Sequence, residues 1–271
     1  MTIDRILLTG AAGNLGKVLR EALREDCNTL RLSSRSLTGP AGPKEEIVPC
    51  DLADAAAVDR LLEGVDAVVH MGGQSVEAPW DVILQANIVG AINLWEAARK
   101  AGTRRIIFAS SNHAIGMYPR TTRLDHTSPP RPDGRYGLSK AFGEDLGALY
   151  ALKHGIACMA IRIGSSFPEV RSRRMLSTWM SYRDLTALIR IGLTKDYLFE
   201  IVYGVSANTR NWWENSNAER LGYRPKDDSE EFAAKVENLA EDDPISEALQ
   251  GGAFAGREYL GGLERCLKDG R

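Results

Sequence analysis

Along the first part of the chain, short apolar runs alternate with longer stretches whose apolar residues recur every three to four positions. The runs Arg5–Thr9, Thr29–Ser33, Glu46–Cys50, Ala67–His70, Arg105–Ser110 and Ala157–Ile163 predict six strands. Their apolar character is nearly continuous, which marks strands of a parallel sheet buried on both faces. Between them the spacing predicts helices from Asn14 to Arg24, from an Asp54 cap to Glu63, from Trp80 to Lys100 and from Tyr136 to His154. Strands and helices in alternation imply an α/β fold with a doubly wound parallel sheet. Beyond Ser166 the pattern changes: Arg171, Arg173 and Arg174 cluster, Asn211–Asn215 is polar and aromatic, and Lys226–Asp243 is charged and amphipathic. Residues 1–166 are therefore expected to form the core. Residues 167–271 are expected to form a small, mostly helical cap that does not fold independently.

Composition narrows the class. A chain of 271 residues with 44% hydrophobic and 26% charged residues is globular and long enough to bury a core without staples. Lysine plus arginine number 34 against 36 acidic residues, a net charge of −2, so no field draws nucleic acid or an anionic membrane. Cys27, Cys50, Cys158 and Cys266 are scattered without metal-ligand spacing, which argues against a metal site and for a reducing compartment. No apolar run is long enough to span a bilayer, and the first residues lack the pattern of a leader. A soluble, cytoplasmic protein is expected.

The first chemical signal is Thr9–Gly16, with glycines at 10, 13 and 16 between the first strand and the first helix. Gly10 allows a tight turn, Gly13 lets backbone approach a pyrophosphate, and Gly16 lets helix and sheet pack closely. The amides around Asn14 and Leu15 open the helix toward the phosphates. A dinucleotide-binding, Rossmann-type core follows. At later strand ends, Asp51 and Leu52 are placed for adenine. Gly72, within His70–Gly73, leaves room for ribose and nicotinamide. Taken alone, Asp51 reads equally well as a helix cap.

The second signal is Tyr136 and Lys140, four residues apart on one helix face, with Ser111 at the end of the fifth strand. Removing hydride from a carbinol carbon requires a base for the hydroxyl proton. Tyrosine, with a pKa near 10, is a poor base at neutral pH. The Lys140 ammonium and a positively charged nicotinamide are expected to favour its phenolate, while Ser111 holds the substrate oxygen.

The glycine loop, strand-end serine and Tyr–Lys pair resemble the extended short-chain dehydrogenase/reductase superfamily. Ala109–Gly116, Arg131–Lys140, Arg162–Ser165, Arg174–Trp179, Ser206–Asn208 and Trp212–Trp213 further resemble its uronate dehydrogenase family, nearly along the whole chain. The resemblance implies oxidation of D-glucuronate or D-galacturonate at C1 to an aldarolactone, with a nicotinamide cofactor, in a homo-oligomer. It implies Tyr136 as base, Lys140 as its partner and ribose ligand, and Ser111 as hydroxyl holder. Ser75, Asn112, His113 and Ser165 would contact sugar hydroxyls, Ser165 also the cofactor. Asn87 would stand among the cofactor ligands, bracing the helix near the active site rather than touching substrate. Arg174 would receive the substrate carboxylate, a planar fork suited to that anion, with Arg173 as the open alternative.

One segment departs from the family. The resemblance implies an aspartate after the second strand, reading the ribose hydroxyls of NAD. Here Leu32–Ser36 carries no carboxylate and the next is Glu45. Ser34 and Arg35 instead suit a 2′-phosphate, so NADP is expected to be accepted and preferred over NAD. Two rivals share these motifs in part: a sugar-nucleotide epimerase or dehydratase, and a non-catalytic cofactor-sensing regulator. The short region after Ser166 disfavours the first, and the intact Tyr136–Lys140 pair the second.

Overall fold

The structure is a computed structural model that describes residues 3–239 and 243–268. Its first half runs β1 (Ile3–Thr9), α1 (Asn14–Leu23), β2 (Cys27–Ser33), β3 (Glu45–Ile47), α2 (Ala55–Leu61) and β4 (Ala67–His70). A long helix follows as α3 (Trp80–Ile83), a π-helical turn (Leu84–Val89) and α4 (Gly90–Ala101). Then come β5 (Arg105–Ser111), a 3₁₀ turn (Asn112–Ile115), α5 (Arg135–His154) and β6 (Ala157–Ile163). The remainder comprises α6 (Met175–Thr178), α7 (Tyr182–Thr194), β7 (Phe199–Gly204), α8 (Ser216–Arg220), a 3₁₀ turn (Ser229–Phe232), α9 (Ala233–Val236), α10 (Pro244–Ala248), α11 (Ala253–Gly256) and α12 (Leu263–Leu267).

All seven strands pair in parallel in the order β3-β2-β1-β4-β5-β6-β7. Because strand side chains alternate, each central strand feeds two cores. Ile6, Leu8, Val69, Ile107 and Ile161 pack with Leu19 and Leu23 of α1 and Leu185, Leu188 and Ile189 of α7. Leu7, Val68, Ile106 and Ala160 pack on the other face with Val58, Leu94, Trp95, Ala98 and Tyr150. The chain reverses winding direction between β1 and β4, and the carboxyl ends of the strands there form the crevice where such sheets take ligands.

Three expectations are corrected. The third strand is shorter than Glu46–Cys50: it spans Glu45–Ile47, and Val48 donates the last rung to the Leu32 carbonyl. The helix expected as uniform over Trp80–Lys100 contains the π-helical turn. Residues 167–271 do not all lie in a cap. Helix α7 covers one sheet face, and β7 continues the sheet beside β6, from Cys158↔Phe199 to Ile163↔Gly204. Later segments fold against the loop after β5: Gln250 N donates to Tyr118 O (2.8 Å) and Gly251 N to Gly116 O (2.8 Å). Among the described residues, no helix is long and apolar enough to cross a membrane.

Candidate functional site

A cavity of about 1090 Å³ opens at the carboxyl ends of β1, β2, β4, β5 and β6. Its lining joins most of what the motifs single out: Gly10, Gly13, Asn14, Leu15 and Gly16 of the loop, Ser34 and Arg35 after β2, and Asp51, Leu52 and Gly72. Ser75, Ser111, Asn112, His113, Tyr136, Lys140, Ser165, Arg173 and Arg174 line the same space. Asp51 is not the cap of α2. Its Oδ1 accepts from Ala53 N (3.0 Å), and Asp54 caps the helix by accepting from Ala57 N (3.0 Å).

The glycine loop is built for backbone approach. Gly10 has φ of +69°, and a Cβ there would sit 2.6 Å from Met71 O. A Cβ on Gly16 would meet Gly10 O at 2.1 Å. Gly13 precedes α1 without a side-chain cap, so the first amides of the helix remain for a ligand's phosphates. Thr9 Oγ1 ties the loop to β4 by accepting from Gly72 N (3.0 Å) and hydrogen-bonding His70 Nδ1 (2.7 Å). Burial pushes His70 down to about 3, helped by the Lys140 charge, so this ring is neutral. Ser33, at the end of β2, lines the cavity with its buried hydroxyl oxygen unpartnered. Loop, helix end and orphaned hydroxyl fit a dinucleotide.

Asn87 lies outside this lining, contrary to its expected place among the cofactor ligands. Its amide is already spent: Oδ1 accepts from Gln74 N (2.7 Å), while Nδ2 donates to Gln74 O (3.1 Å) and Ser139 Oγ (2.8 Å). It joins the π-helical turn to α5 and to the loop carrying Ser75.

Helix α5 presents Tyr136 and Lys140. Lys140 Nζ donates to Ala109 O (2.8 Å) and lies 5.5 Å from the Tyr136 ring centre. Burial lowers Lys140 to about 8. Burial also raises Tyr136 to about 12; the Ser111 hydroxyl opposes that rise and the Asp133 charge adds to it. Within the chain alone, burial thus outweighs the Ser111 hydroxyl at Tyr136. Arg174 is half-buried. It donates through Nε to Gln250 O (2.7 Å) and through Nη1 to Ser165 Oγ (3.3 Å). With the Asn112 amide turned to donate to Ile163 O, its oxygen accepts from Arg174 Nη2. Arg173 is exposed at the rim. Arg174 is thus the guanidinium set among Ser165, Asn112 and the Gln250 carbonyl.

Residues 6–182 match the model of the NAD dependent epimerase/dehydratase family. The uronate dehydrogenase of Pseudomonas syringae pv. tomato is 54% identical over 256 residues, 93% of each chain. The chain belongs to the uronate dehydrogenase family. Among solved structures, uronate dehydrogenase from Agrobacterium tumefaciens superposes with a TM-score of 0.90 at 49% identity, covering 94% of this chain and 98% of that one. A tyrosine-to-alanine mutant from the same organism, complexed with NAD, gives a TM-score of 0.90 at 48% identity, with 93% and 97% coverage.

In this uronate dehydrogenase family member, four side chains of the site were not foreseen. Glu77 caps α5 from outside: its Oε1 accepts from Arg135 N (3.1 Å) and its Oε2 from Tyr136 N (2.9 Å). Asp133 Oδ2 hydrogen-bonds His113 Nδ1 (2.6 Å). Phe254 stacks on His113 with ring centres 4.2 Å apart. Gln250 is fully buried, accepting from Trp213 Nε1 (2.8 Å) and donating to Thr122 O (2.8 Å). Asp133 lies within a motif segment, where an acidic residue between Pro132 and Gly134 was a usable signal. Nothing local marks the other three.

Proposed function

We propose that this chain oxidises a hexuronic acid, D-glucuronate or D-galacturonate, at C1 to the aldarolactone, which then opens to the aldarate. The observation that carries the proposal is the placement of Arg174, with Ser165 and Asn112, in one cavity with Tyr136, Lys140, Ser111 and the glycine loop. A guanidinium there matches the C6 carboxylate of a sugar whose C1 is the reacting carbon. Gly10–Gly16 and Ser33–Arg35 would hold the cofactor, which when bound accepts the hydride from C1. Tyr136 takes the C1 hydroxyl proton as that carbon becomes a carbonyl. Lys140 supplies positive charge beside the phenol, and Ser111 donates to the substrate oxygen. Ser75 and His113 would meet ring hydroxyls.

The cofactor reading goes further than NAD dependence. Ser34 and Arg35 line the cavity, whereas Glu45 is held by Arg20 (2.6 Å) and Arg24 (3.4 Å) and is not offered to a ribose. With no carboxylate at the end of β2 to repel a 2′-phosphate, and Arg35 available to pair with it, NADP is preferred. The resemblance also supports a cytoplasmic homo-oligomer. Cys27, Cys50, Cys158 and Cys266 are free thiols, which suits a reducing compartment. The test is cofactor-reduction absorbance with both uronates against NAD and NADP. Reduction with either uronate is expected, fastest with NADP. No reduction with either uronate would overturn the substrate reading, and kcat/KM for NAD far above NADP would overturn the cofactor reading.

A further inference from the structure

His113 is held on several sides. Its Nδ1 lies 2.6 Å from Asp133 Oδ2, and its ring stacks on Phe254 at 19° and meets Tyr136 edge-on at 5.8 Å. Its backbone N donates to Ser111 Oγ (3.2 Å), and its carbonyl accepts from Asp133 N (3.3 Å). The Asp133 side chain is fully shielded (0% exposed) in a recess formed by glycines. A Cβ on Gly116 or Gly251 would come within 2.0 Å of its Oδ2, and one on Gly137 within 3.0 Å of its Oδ1. The backbone has been kept bare at these positions so that a carboxylate fits behind the imidazole. Among the described residues, Nε2 of His113 has no protein partner, and the residue lines the cavity.

We propose that Asp133 is a positioning residue that fixes His113 as the Nδ1–H tautomer, so that Nε2 accepts a hydrogen bond from a hydroxyl of the sugar. An ionised carboxylate only accepts, so the ring proton sits between Nδ1 and Asp133, and the lone pair of Nε2 faces the ligand. This rests on the hexuronate reading and deepens it. An acceptor at His113 welcomes an O–H and repels a carboxylate, while the Arg174 guanidinium prefers the carboxylate. The sugar then enters in one direction only, with its carboxylate at Arg174 and a donor hydroxyl at His113. The Asp133 charge, which helps hold Tyr136 high, lies close enough to the base for its removal to register there too.

The first test is the ¹⁵N long-range correlation spectrum of the full chain at pH 8, with His113 assigned by its loss in His113→Gln. A protonated Nδ1 and an unprotonated Nε2 are expected. Protonation at Nε2, whether from a protonated Asp133 donating to Nδ1 or from an imidazolium, overturns the proposal. The second test compares the uronate with its monofluoro analogues, since fluorine cannot donate. At one ring position the wild-type chain should lose about tenfold or more in kcat/KM, the worth of one hydrogen bond. Asp133→Asn, which no longer fixes the tautomer, should raise the uronate KM with cofactor Kd unchanged and show a smaller fluorine penalty. Equal use of every analogue by the wild-type chain overturns the proposal. If no uronate is oxidised at all, the hexuronate reading falls, and the ring spectrum alone decides the tautomer.

Discussion

Replacing Glu144 with glutamine tests whether a buried charge pair holds the wall behind the reacting groups. Glu144 of α5 and Arg162 of β6 are 2% and 1% exposed, and they meet twice, Nε to Oε1 and Nη2 to Oε2, each at 2.9 Å. Ser110 Oγ donates to the same Oε1 at 2.6 Å, one residue before Ser111. Glutamine keeps the size but turns one accepting oxygen into an NH₂ facing a guanidinium N–H. Each hydrogen bond to a charged group is worth about 1.5–3 kcal/mol. Arg162 keeps the remaining amide oxygen, the Tyr203 hydroxyl (3.3 Å) and Ser128 O (3.4 Å), but no counter-charge, so its charge is left uncompensated. Breaking such a pair from one side costs about 3–5 kcal/mol. For a chain of this size that lowers Tm by roughly 6–20 °C. Urea unfolding followed by circular dichroism gives the free energy, and a loss below about 1 kcal/mol would refute the reasoning. The double variant Glu144→Leu with Arg162→Met should recover most of the stability, because two matched apolar side chains leave no charge behind.

Tyr136→Phe should leave cofactor affinity within about twofold while lowering kcat by about 10²–10⁴, the usual worth of a positioned base; more than a tenth of the activity remaining would remove Tyr136 from that role. Arg174→Ala should raise the uronate KM by about 30–1000-fold, as expected for losing a charge-paired anion contact of roughly 2–4 kcal/mol, with little change for a neutral hexose. An unchanged KM would point to Arg173. Ser34→Asp should lower the NADP-to-NAD ratio of kcat/KM at least about tenfold, since a carboxylate repels the 2′-phosphate, and an unmoved ratio would show that β2 does not read the phosphate. Finally, Arg35, Arg120, Lys140, Arg171, Arg173 and Arg174 line the cavity with Asp51, on a chain of net charge −2. Added salt should therefore lower kcat/KM for the anionic substrate more than kcat; a flat salt series would show that this field does not steer the ligand.

Elements whose physics is local were legible in the chain. The middles of strands β1, β4, β5 and β6 are buried on both faces, so their residues there are nearly all apolar. The glycine loop was legible because left-handed and close-approach positions accept little else, and Tyr136–Lys140 because a helix brings i and i+4 together. Strand β7 was missed for the converse reason. It is an edge strand with half-buried Phe199, Glu200 and Ile201, and Glu200 pairs outward with Arg220. The unforeseen site residues meet their partners across long separations: Glu77 with Tyr136, Asp133 with His113, Gln250 with Trp213. No window of sequence contains both partners of the first or the last of these pairs. Asp133 fell within a recognised segment, yet its role depends on Gly116 and Gly251 approaching from elsewhere.

The two ends of the cavity consequently have different origins. The glycine-loop end is built from β1, α1 and the ends of β2 and β4, where sheet geometry and a few glycines do most of the positioning. The end around Arg174 and His113 depends on segment 250–254, which arrives late in the chain. Its backbone holds Arg174 through the Gln250 carbonyl, Gly251 closes over Asp133, and Phe254 covers His113. That segment is anchored through Tyr118, Gly116 and the side chain of Gln250 rather than through the sheet. A substitution in it would disturb the surroundings of Arg174 and His113 together, while Ser111 and Lys140 stay on β5 and α5. Changes of substrate are therefore expected to arise through residues 250–254 and their anchors, and changes of cofactor through Ser34 and Arg35, with near-additive effects that a double-variant cycle would measure.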